Sequence, residues 1–154
     1  MHKKFKVLTD STVDLTKEEI EKYGITILPL TSLLNNTTYL DNETVTRKEF
    51  IKLMSNTKEF PKTTQPTLGT VLEKYNELTK DNTEVLAIHL TKELSGTFST
   101  SLQATTMLED TNNKAVSVDS KFVARALAFQ VLKACECAEK GMTMFKIAKE
   151  FKNE

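Results

Sequence analysis

The stretch Glu84–Leu90, which reads EVLAIHL, decides the fold. Between Val85 and Leu90 only His89 is polar, whereas a strand with one face in water alternates apolar and polar residues. We therefore predict a strand that is buried on both faces, as in a parallel sheet. His89 is predicted to be a buried histidine whose hydrogen bonds are satisfied within the core.

Strands and helices alternate on both sides of this segment. Apolar runs predict further strands at Lys4–Thr9, Ile25–Leu30 and Ala115–Val118, and a hairpin around Asn35-Asn36 that reaches Tyr39-Leu40. This alternation predicts an α/β fold with a mostly parallel sheet flanked by helices and joined by right-handed crossovers.

Capping signals mark two helix starts. Thr16 with Glu19 and Thr46 with Glu49 have the spacing of capping boxes, and Gly24 stands where the first of these helices ends. Helical spacing predicts three more helices after a loop at 58–65. The predicted inner residues of the last four helices are Phe50, Leu53 and Met54; Leu68, Val71, Leu72, Tyr75 and Leu78; Phe98, Leu102 and Met107 or Leu108; and Val123, Ala126, Leu127, Val131, Ala134 and Ala138.

Composition excludes several classes of function. The 154 residues, 39% of them in the AVILMFWYC set, carry 21 Lys+Arg and 21 Asp+Glu, which indicates one ordinary soluble domain without the basic field of a nucleic-acid protein. No apolar run approaches the roughly 18 residues of a membrane span, and no signal peptide is apparent. Export is unsupported.

The cysteines and histidines predict neither a disulfide nor a metal site. Cys135 and Cys137 lie two apart in a helical pattern and cannot easily bridge, so we expect reduced thiols and a cytoplasmic protein. The only histidines, His2 and His89, show no ligand spacing relative to this pair. No metal or cofactor is expected.

Four polar segments are candidates for the ligand-binding edge of this sheet: Thr9-Asp10-Ser11, the loop around Thr63–Pro66, Leu94–Thr97 and Asp119-Ser120. Ligands of open parallel sheets bind outside the carboxyl ends of the strands. These segments are rich in hydroxyls, which together with backbone N–H groups can hold a carboxylate or a phosphate. Gly96, one of only four glycines, indicates either a positive φ or a close approach of the backbone to a ligand.

Catalysis is the alternative reading of the same segments. A hydrolytic triad needs a histidine beside its serine, but His89, the only internal histidine, is predicted to be buried in a strand. No Walker loop is present either, so covalent catalysis and nucleotide hydrolysis are disfavoured. Asp10 or Asp119 could still serve as an acid or base in a small-molecule enzyme of phosphoryl or hydrolytic chemistry. Each aspartate could equally cap the turn that follows it, and for Asp10 we expect this structural role.

Five motifs resemble those of the DegV family in order and spacing. They are Thr9–Leu15, Tyr39-Leu40-Asp41, Thr63–Thr67, Leu94–Phe98 and Val118-Asp119-Ser120. The resemblance runs nearly from end to end, and the Leu-Ser-Gly-Thr and Asp-Ser-Thr elements are the most specific. Thr64 and Thr67 depart from the commoner Thr-Ser-Gln-Pro-Ser of the family but keep the hydroxyls.

The resemblance implies a fatty-acid-binding protein that presents a long acyl chain to a separate fatty acid kinase and is not itself an enzyme. Thr63 and Ser95 match the hydroxyls that hold the fatty-acid carboxylate in that family. The residues expected to support the site from its loops are Asp10, Ser11, Thr64, Gly96, Thr97, Asp119 and Ser120.

The family also has a second domain, which forms a further wall of the acyl tunnel. We therefore expect residues 1–154 to be the N-terminal α/β domain, with the C-terminal domain absent from this chain. Such a truncation would expose an apolar wall whose candidate residues include Leu30, Leu94 and Phe98, although each of them could instead be an ordinary core residue. A truncated fragment that binds no ligand remains an open alternative.

Overall fold

The computed structural model describes residues 5–34, 36–40, 46–56, 62–108 and 115–152. These residues form seven strands and six helices. In chain order they are β1 (Phe5–Asp10), α1 (Lys17–Tyr23), β2 (Thr26–Leu28), β3 (Thr31–Leu34), β4 (Thr37–Leu40), α2 (Arg47–Ser55), β5 (Lys62–Thr64), α3 (Leu68–Thr79), β6 (Glu84–His89), α4 (Thr97–Thr106), β7 (Ala115–Asp119), α5 (Ala124–Glu139) and α6 (Met144–Lys152).

Four strands form a parallel sheet in the order β2-β1-β6-β7. β6 lies between β1 and β7, and its residues Val85–His89 are completely buried. The predicted strand buried on both faces is confirmed, and so is the α/β class with a parallel sheet flanked by helices. The carboxyl ends of β1, β6 and β7 therefore meet at one edge of the sheet.

Helices cover both faces of this sheet. Val7 and Leu86 pack into one apolar cluster with residues of α5 and α6, whereas Leu8 and Val85 pack into a second cluster with residues of α3 and α4. The alternation follows from the two-residue period of a strand. Sequence analysis missed α6, although its apolar residues Met144, Ile147, Ala148 and Phe151 have helical spacing.

A second, antiparallel sheet has the order β4-β3-β5. Its β3–β4 turn contains Asn36 with a φ of 61°, which confirms the predicted hairpin, because asparagine tolerates the left-handed region. The predicted strand Ile25–Leu30 is shorter, because β2 ends before Pro29 and the chain then enters the second sheet at β3. The predicted loop at 58–65 is wrong at Lys62–Thr64, where β5 pairs with β3.

The predicted helix ends are confirmed, but the predicted inner faces only in part. Thr16 and Thr46 close capping boxes with Glu19 and Glu49, and Gly24 ends α1 with a φ of 62°. Several residues predicted to face inward are instead exposed: Leu53, Leu102, Val123 and Ala126. Of the two alternatives at the end of α4, Leu108 is buried and Met107 is exposed. In α4 the buried face is small and polar, with Thr97, Thr100, Ser101 and Ala104, so apolar spacing could not reveal it. The side chain of Phe50 lies outside the described part of the structure.

Candidate functional site at the carboxyl edge of the sheet

Asp10, the last residue of β1, is fully buried and accepts hydrogen bonds at both carboxylate oxygens. Oδ1 accepts from the N–H of Thr12 (3.1 Å) and from the Thr12 hydroxyl, and Oδ2 accepts from the N–H of Leu90 (2.9 Å). Burial raises the pKa of Asp10, but hydrogen bonds to His89, Thr12 and Leu90 outweigh it and hold that pKa below its usual 3.8. The ionised Asp10 carboxylate thus orders its loop by accepting these hydrogen bonds, which is the structural role predicted for it.

His89, at the end of β6, connects Asp10 to hydroxyls from three other elements. Its Nδ1 lies 3.2 Å from Asp10 Oδ2 and its Nε2 lies 2.9 Å from Ser101 Oγ. Ser101 Oγ also contacts the Tyr75 hydroxyl, and Ser117 Oγ is 2.8 Å from both of these oxygens. The prediction of a satisfied core histidine is confirmed. We call these five residues the buried polar network.

Within the buried polar network, Ser101, His89 and Asp10 are hydrogen-bonded in the order of a catalytic triad, but the serine is not accessible to a substrate. A triad serine must reach a substrate carbonyl and have a histidine to take its proton. Ser101, His89 and Asp10 are all completely buried, and the Ser101 hydroxyl is already bonded to two other hydroxyls. The network therefore holds the strands and helices that it connects in place, and it does not expose a nucleophile.

Ser11 ties the end of β1 to the point where the chain leaves the main sheet. Its N–H donates to the Leu28 carbonyl (3.0 Å), and its Oγ accepts from the Leu30 N–H (2.8 Å). The second bond holds Leu30 inside the protein, where it is 1% exposed. Leu30 is therefore a core residue, and its prediction as part of an exposed wall is wrong.

Asp119 and Ser120 bind the loop after β7 to the loop after β6. Asp119 Oδ1 accepts from the N–H groups of Lys121 (2.9 Å) and Lys92 (3.3 Å). Ser120 donates its N–H to the His89 carbonyl (3.1 Å). The Asp119 carboxylate thus caps the turn that follows it, the structural alternative weighed above.

The same two loops expose three apolar side chains. Leu94 is 70% exposed, Phe122 42% and Val123 37%, and the Thr91 N–H donates to the Phe122 carbonyl (3.1 Å). We call Leu94, Phe122 and Val123 the apolar rim. Phe98, the third predicted wall residue, is half-buried on α4. The rim gives this edge of the sheet an apolar surface beside its polar loops.

Ser95 forms a tight turn with Thr97 at the start of α4. Ser95 Oγ accepts from the Thr97 N–H (3.2 Å) and lies 2.8 Å from Thr97 Oγ1. If the buried Thr97 hydroxyl donates in this pair, the two lone pairs of Ser95 Oγ are used and its own proton can go to a ligand.

The N-cap residue of α4 is Gly96, which has no side chain to cap the helix. Ser95 Oγ accepts from the Thr97 N–H, and no acidic residue lies in the first turn. Threonine hydroxyls accept from backbone N–H groups at the starts of four other helices, at Thr16, Thr46, Thr67 and Thr143, whereas α5, like α4, has no side-chain hydrogen bond from its N-cap residue, Val123. The amino end of α4 is therefore suited to an anion, because its N–H groups carry partial positive charge.

Gly96 is explained by a neighbouring side chain. Its φ is −79°, so the predicted alternative of a positive φ is wrong. A Cβ built on Gly96 would lie 1.9 Å from Oε1 of Gln65, whose Nε2 donates to Thr100 Oγ1 at 3.2 Å. Sequence analysis gave Gln65 no role, and the lack of a side chain at Gly96 was the only signal of this contact.

Gln65 brings the segment after β5 to the Ser95 turn. The backbone of Thr63 pairs with Ser32 in the second sheet, and Thr64 is exposed, its hydroxyl 3.5 Å from the Thr31 carbonyl. The Thr63 side chain lies outside the described part of the structure. Gln65 thus joins a first pair of predicted segments, Thr63–Pro66 and Leu94–Thr97, whereas Asp10 and Asp119-Ser120 are each bonded to the end of β6 or to the loop after it.

A groove of about 460 Å³ lies beside the first pair. Its lining residues are Leu28, Pro29, Thr31, Thr64, Gln65, Pro66, Thr67, Thr70, Glu73, Lys74 and Glu77. The charged residues of α3 and the threonine hydroxyls make much of this wall polar.

Two further findings hold for the described residues alone. Among them, no three His, Cys, Asp or Glu side chains come together as a metal site would require. No helix formed by these ranges has the length and apolar character needed to cross a bilayer.

The fold and the hydroxyl-rich carboxyl edge define an α/β domain with a candidate anion-binding site. The chain belongs to the DegV family, whose model, described as an uncharacterised protein family, matches residues 4–153. A DegV domain-containing protein of Listeria monocytogenes is 42% identical over 139 residues, which are 90% of this chain and 49% of the relative. One of Staphylococcus aureus is 37% identical over 144 residues, 94% and 50% of the two chains.

Solved structures share this fold. DegV from Bacillus subtilis, described as a fatty acid binding protein, is 32% identical in sequence and has a TM-score of 0.87. The match covers 97% of this chain and 52% of the Bacillus subtilis chain. A stearic-acid-binding protein from Eubacterium ventriosum matches 96% and 52% with a TM-score of 0.89 and 26% identity. The chain spans about half the length of the relatives and structures it matches.

Proposed function

We propose that this chain contributes the carboxylate site of a fatty-acid-binding protein. The observation that carries the proposal is the start of α4, where Gly96 provides no side-chain cap and where Ser95 can donate its proton to a ligand when the Thr97 hydroxyl donates to Ser95 Oγ. A carboxylate is the anion that a fatty acid offers to such a site. The fatty-acid-binding neighbours of the same fold support this choice of ligand.

In this proposal Ser95 and Thr63 donate hydroxyl hydrogen bonds to the carboxylate from two separate segments. The apolar rim of Leu94, Phe122 and Val123 provides the first contacts of the acyl chain, since burial of each methylene contributes about 0.8 kcal/mol. The chain thus supplies most of the affinity, and the polar groups fix the position of the head.

The bound acid would be presented to a separate fatty acid kinase and not transformed by this chain. The support for this part of the proposal is the state of the two aspartates considered as acids or bases. Asp10 is buried with both oxygens engaged, and Asp119 accepts two backbone N–H groups. Neither is placed as an exposed general base at the start of α4.

Ser95→Ala tests the carboxylate site by titration of the chain with stearic acid. A hydrogen bond to a charged group contributes about 1.5–3 kcal/mol, so we expect binding to weaken by roughly ten- to hundredfold with the fold retained. Thr63→Val should act in the same direction. Thr106→Ala is the control, because Thr106 is an exposed hydroxyl residue at the other end of the same helix.

Acyl-phosphate formation with an added fatty acid kinase and ATP tests presentation. It should fall more than binding does, because phosphoryl transfer requires the carboxylate in one position. The site assignment is wrong if Ser95→Ala and Thr63→Val bind stearic acid like the parent. Turnover by the chain without any kinase would favour the enzyme alternative.

A further inference from the structure

Gln65 spans two of the segments assigned to the proposed site. It lies between β5 and α3, yet its amide reaches Thr100 on α4, with 3.2 Å between Nε2 and Oγ1. The same amide passes over Gly96 so closely that any side chain there would overlap it. The Ser95 turn and the Thr63–Thr64 strand are therefore in contact through one side chain.

Thr100, the hydrogen-bond partner of Gln65, is held in place by the core. Thr100 is buried, and its N–H donates to the Gly96 carbonyl at 2.9 Å, in the first turn of α4. The next residue, Ser101, belongs to the buried polar network and is bonded to His89 of the central strand. Contacts with the core thus fix the position of α4. The hydrogen bond from Gln65 to Thr100 ties the segment after β5 to this helix.

We propose that Gln65 is a positioning residue of the carboxylate site, which holds the Thr63–Thr64 strand against the Ser95 turn. This inference rests on the proposed function, and it assigns Gln65 no contact with the ligand. Two hydroxyls on separate segments bind one carboxylate well only if their spacing is fixed before the ligand arrives. Gln65 is itself exposed, so its contact adds little to the core while it joins the two segments.

Gly96 provides a steric test of this contact. Its φ of −79° is open to alanine, so Gly96→Ala adds a methyl group without backbone strain. The added carbon displaces the Gln65 amide from Thr100. Gly96→Ala and Gln65→Ala should therefore remove the same interaction, and the double variant should be no worse than either single one.

Binding of stearic acid to the chain is the first measurement. We expect Gln65→Ala, Gly96→Ala and Thr100→Val each to weaken binding about three- to tenfold, the range of one neutral hydrogen bond. Thr100→Ser keeps the hydroxyl and should bind like the parent. Gly69→Ala is the matched control, since a Cβ at Gly69 meets nothing closer than Thr67 Oγ1 at 4.0 Å. Additive losses in the double variant would overturn the proposal.

Hydrogen exchange of the ligand-free chain separates this inference from the proposed function. Loss of the contact should speed exchange of the Thr97 and Thr100 amides in Gln65→Ala, Gly96→Ala and Thr100→Val, but not in Thr100→Ser or Gly69→Ala. If the parent binds no stearic acid, the proposed function fails, and the exchange pattern alone decides whether Gln65 holds the two segments together. If the parent binds and Gln65→Ala changes neither affinity nor exchange, the positioning role is wrong.

Discussion

Thr9 carries the one buried side-chain oxygen without a hydrogen-bond partner among the residues that the structure describes. It lies on β1 and is completely buried. A buried hydroxyl without a partner costs about 1–3 kcal/mol, and valine has the same branched shape without that group. We expect Thr9→Val to raise the free energy of unfolding by about 1 kcal/mol in a urea titration.

Thr79→Val is the matched control for this prediction. Thr79 is also buried, but its hydroxyl donates to the Tyr75 carbonyl at 2.8 Å. The same substitution should therefore lower the free energy of unfolding by about 1 kcal/mol at this position. Equal effects of the two substitutions would show that the missing partner of Thr9 is not the cause.

Asp10 is the residue whose charge matters most to the buried polar network. Its carboxylate faces donors from Thr12, Leu90 and His89, and an amide would turn two hydrogens toward some of them. We expect Asp10→Asn to lower the free energy of unfolding by about 2–4 kcal/mol at neutral pH. Asp119→Asn should cost much less, because Asp119 accepts both of its bonds at one oxygen, which an asparagine retains. Similar losses in urea unfolding would contradict this account.

At the scale of elements, Glu19 fastens α1 to the first turn of α5. Its carboxylate accepts from the Thr16 N–H in the capping box and from Arg125, with 2.9 Å between Oε1 and each donor nitrogen. The hydrogen bond from Arg125, followed by that from Thr16, lowers the pKa of Glu19 from 4.5 to about 2.

This lowered pKa predicts an acid-sensitive step in stability. Because the folded pKa lies below the unfolded one, the contribution of Glu19 is complete above about pH 4.5 and is lost as the pH falls toward about 2. The melting temperature of the parent should therefore fall more steeply across this window than that of Glu19→Gln. Lys6 and Asp81 form a second such pair in both proteins, so only the difference between the curves reports Glu19. Parallel curves would contradict the prediction.

The apolar rim is a property of the whole molecule, because it needs the loops of two strands held together. Exposed apolar side chains that adjoin one another bind hydrophobic dyes and favour self-association. We expect the double variant Leu94→Ser with Phe122→Ser to lower dye fluorescence by about threefold or more, since each side chain contributes roughly 1.5–3 kcal/mol when fully buried. Ile51→Ser, which changes an exposed apolar residue of α2, should leave most of the signal in place.

Sequence analysis identified the elements whose signals are local. The apolar run of β6, the capping boxes of α1 and α2 and the Asn36 turn are each encoded within a few neighbouring residues. The buried polar network could not be predicted, because Ser101 and Ser117 look like ordinary surface serines until α4 and β7 pack beside His89. β5 has only three residues, too few for a periodic pattern.

The candidate site was predictable to the same extent. The rule for parallel sheets places the loops after β1, β6 and β7 at one edge, because it depends on topology alone, but the segment 63–66 lies at the end of β5 in the antiparallel sheet. It could not show which loops touch, since the contact between Gln65 and Gly96 depends on a side chain that crosses from one segment to another. Leu30, a candidate wall residue, lies in the core, and the bond from its N–H to Ser11 Oγ joins two segments that the sequence does not show to be in contact.

The pairing of β1 with β6 restricts the order in which the strands can pair during synthesis of the chain. Phe5 lies opposite Glu84, so the ribosome synthesises β1 long before its central partner exists. Closing a long loop costs conformational entropy, and parallel pairs between distant segments form slowly. The β3–β4 hairpin can form without this delay, because its strands are neighbours in the chain. We therefore expect the β3–β4 hairpin to form early on a growing chain, while β1, which pairs with β2 along one edge, lacks its partner on the other edge until β6 emerges.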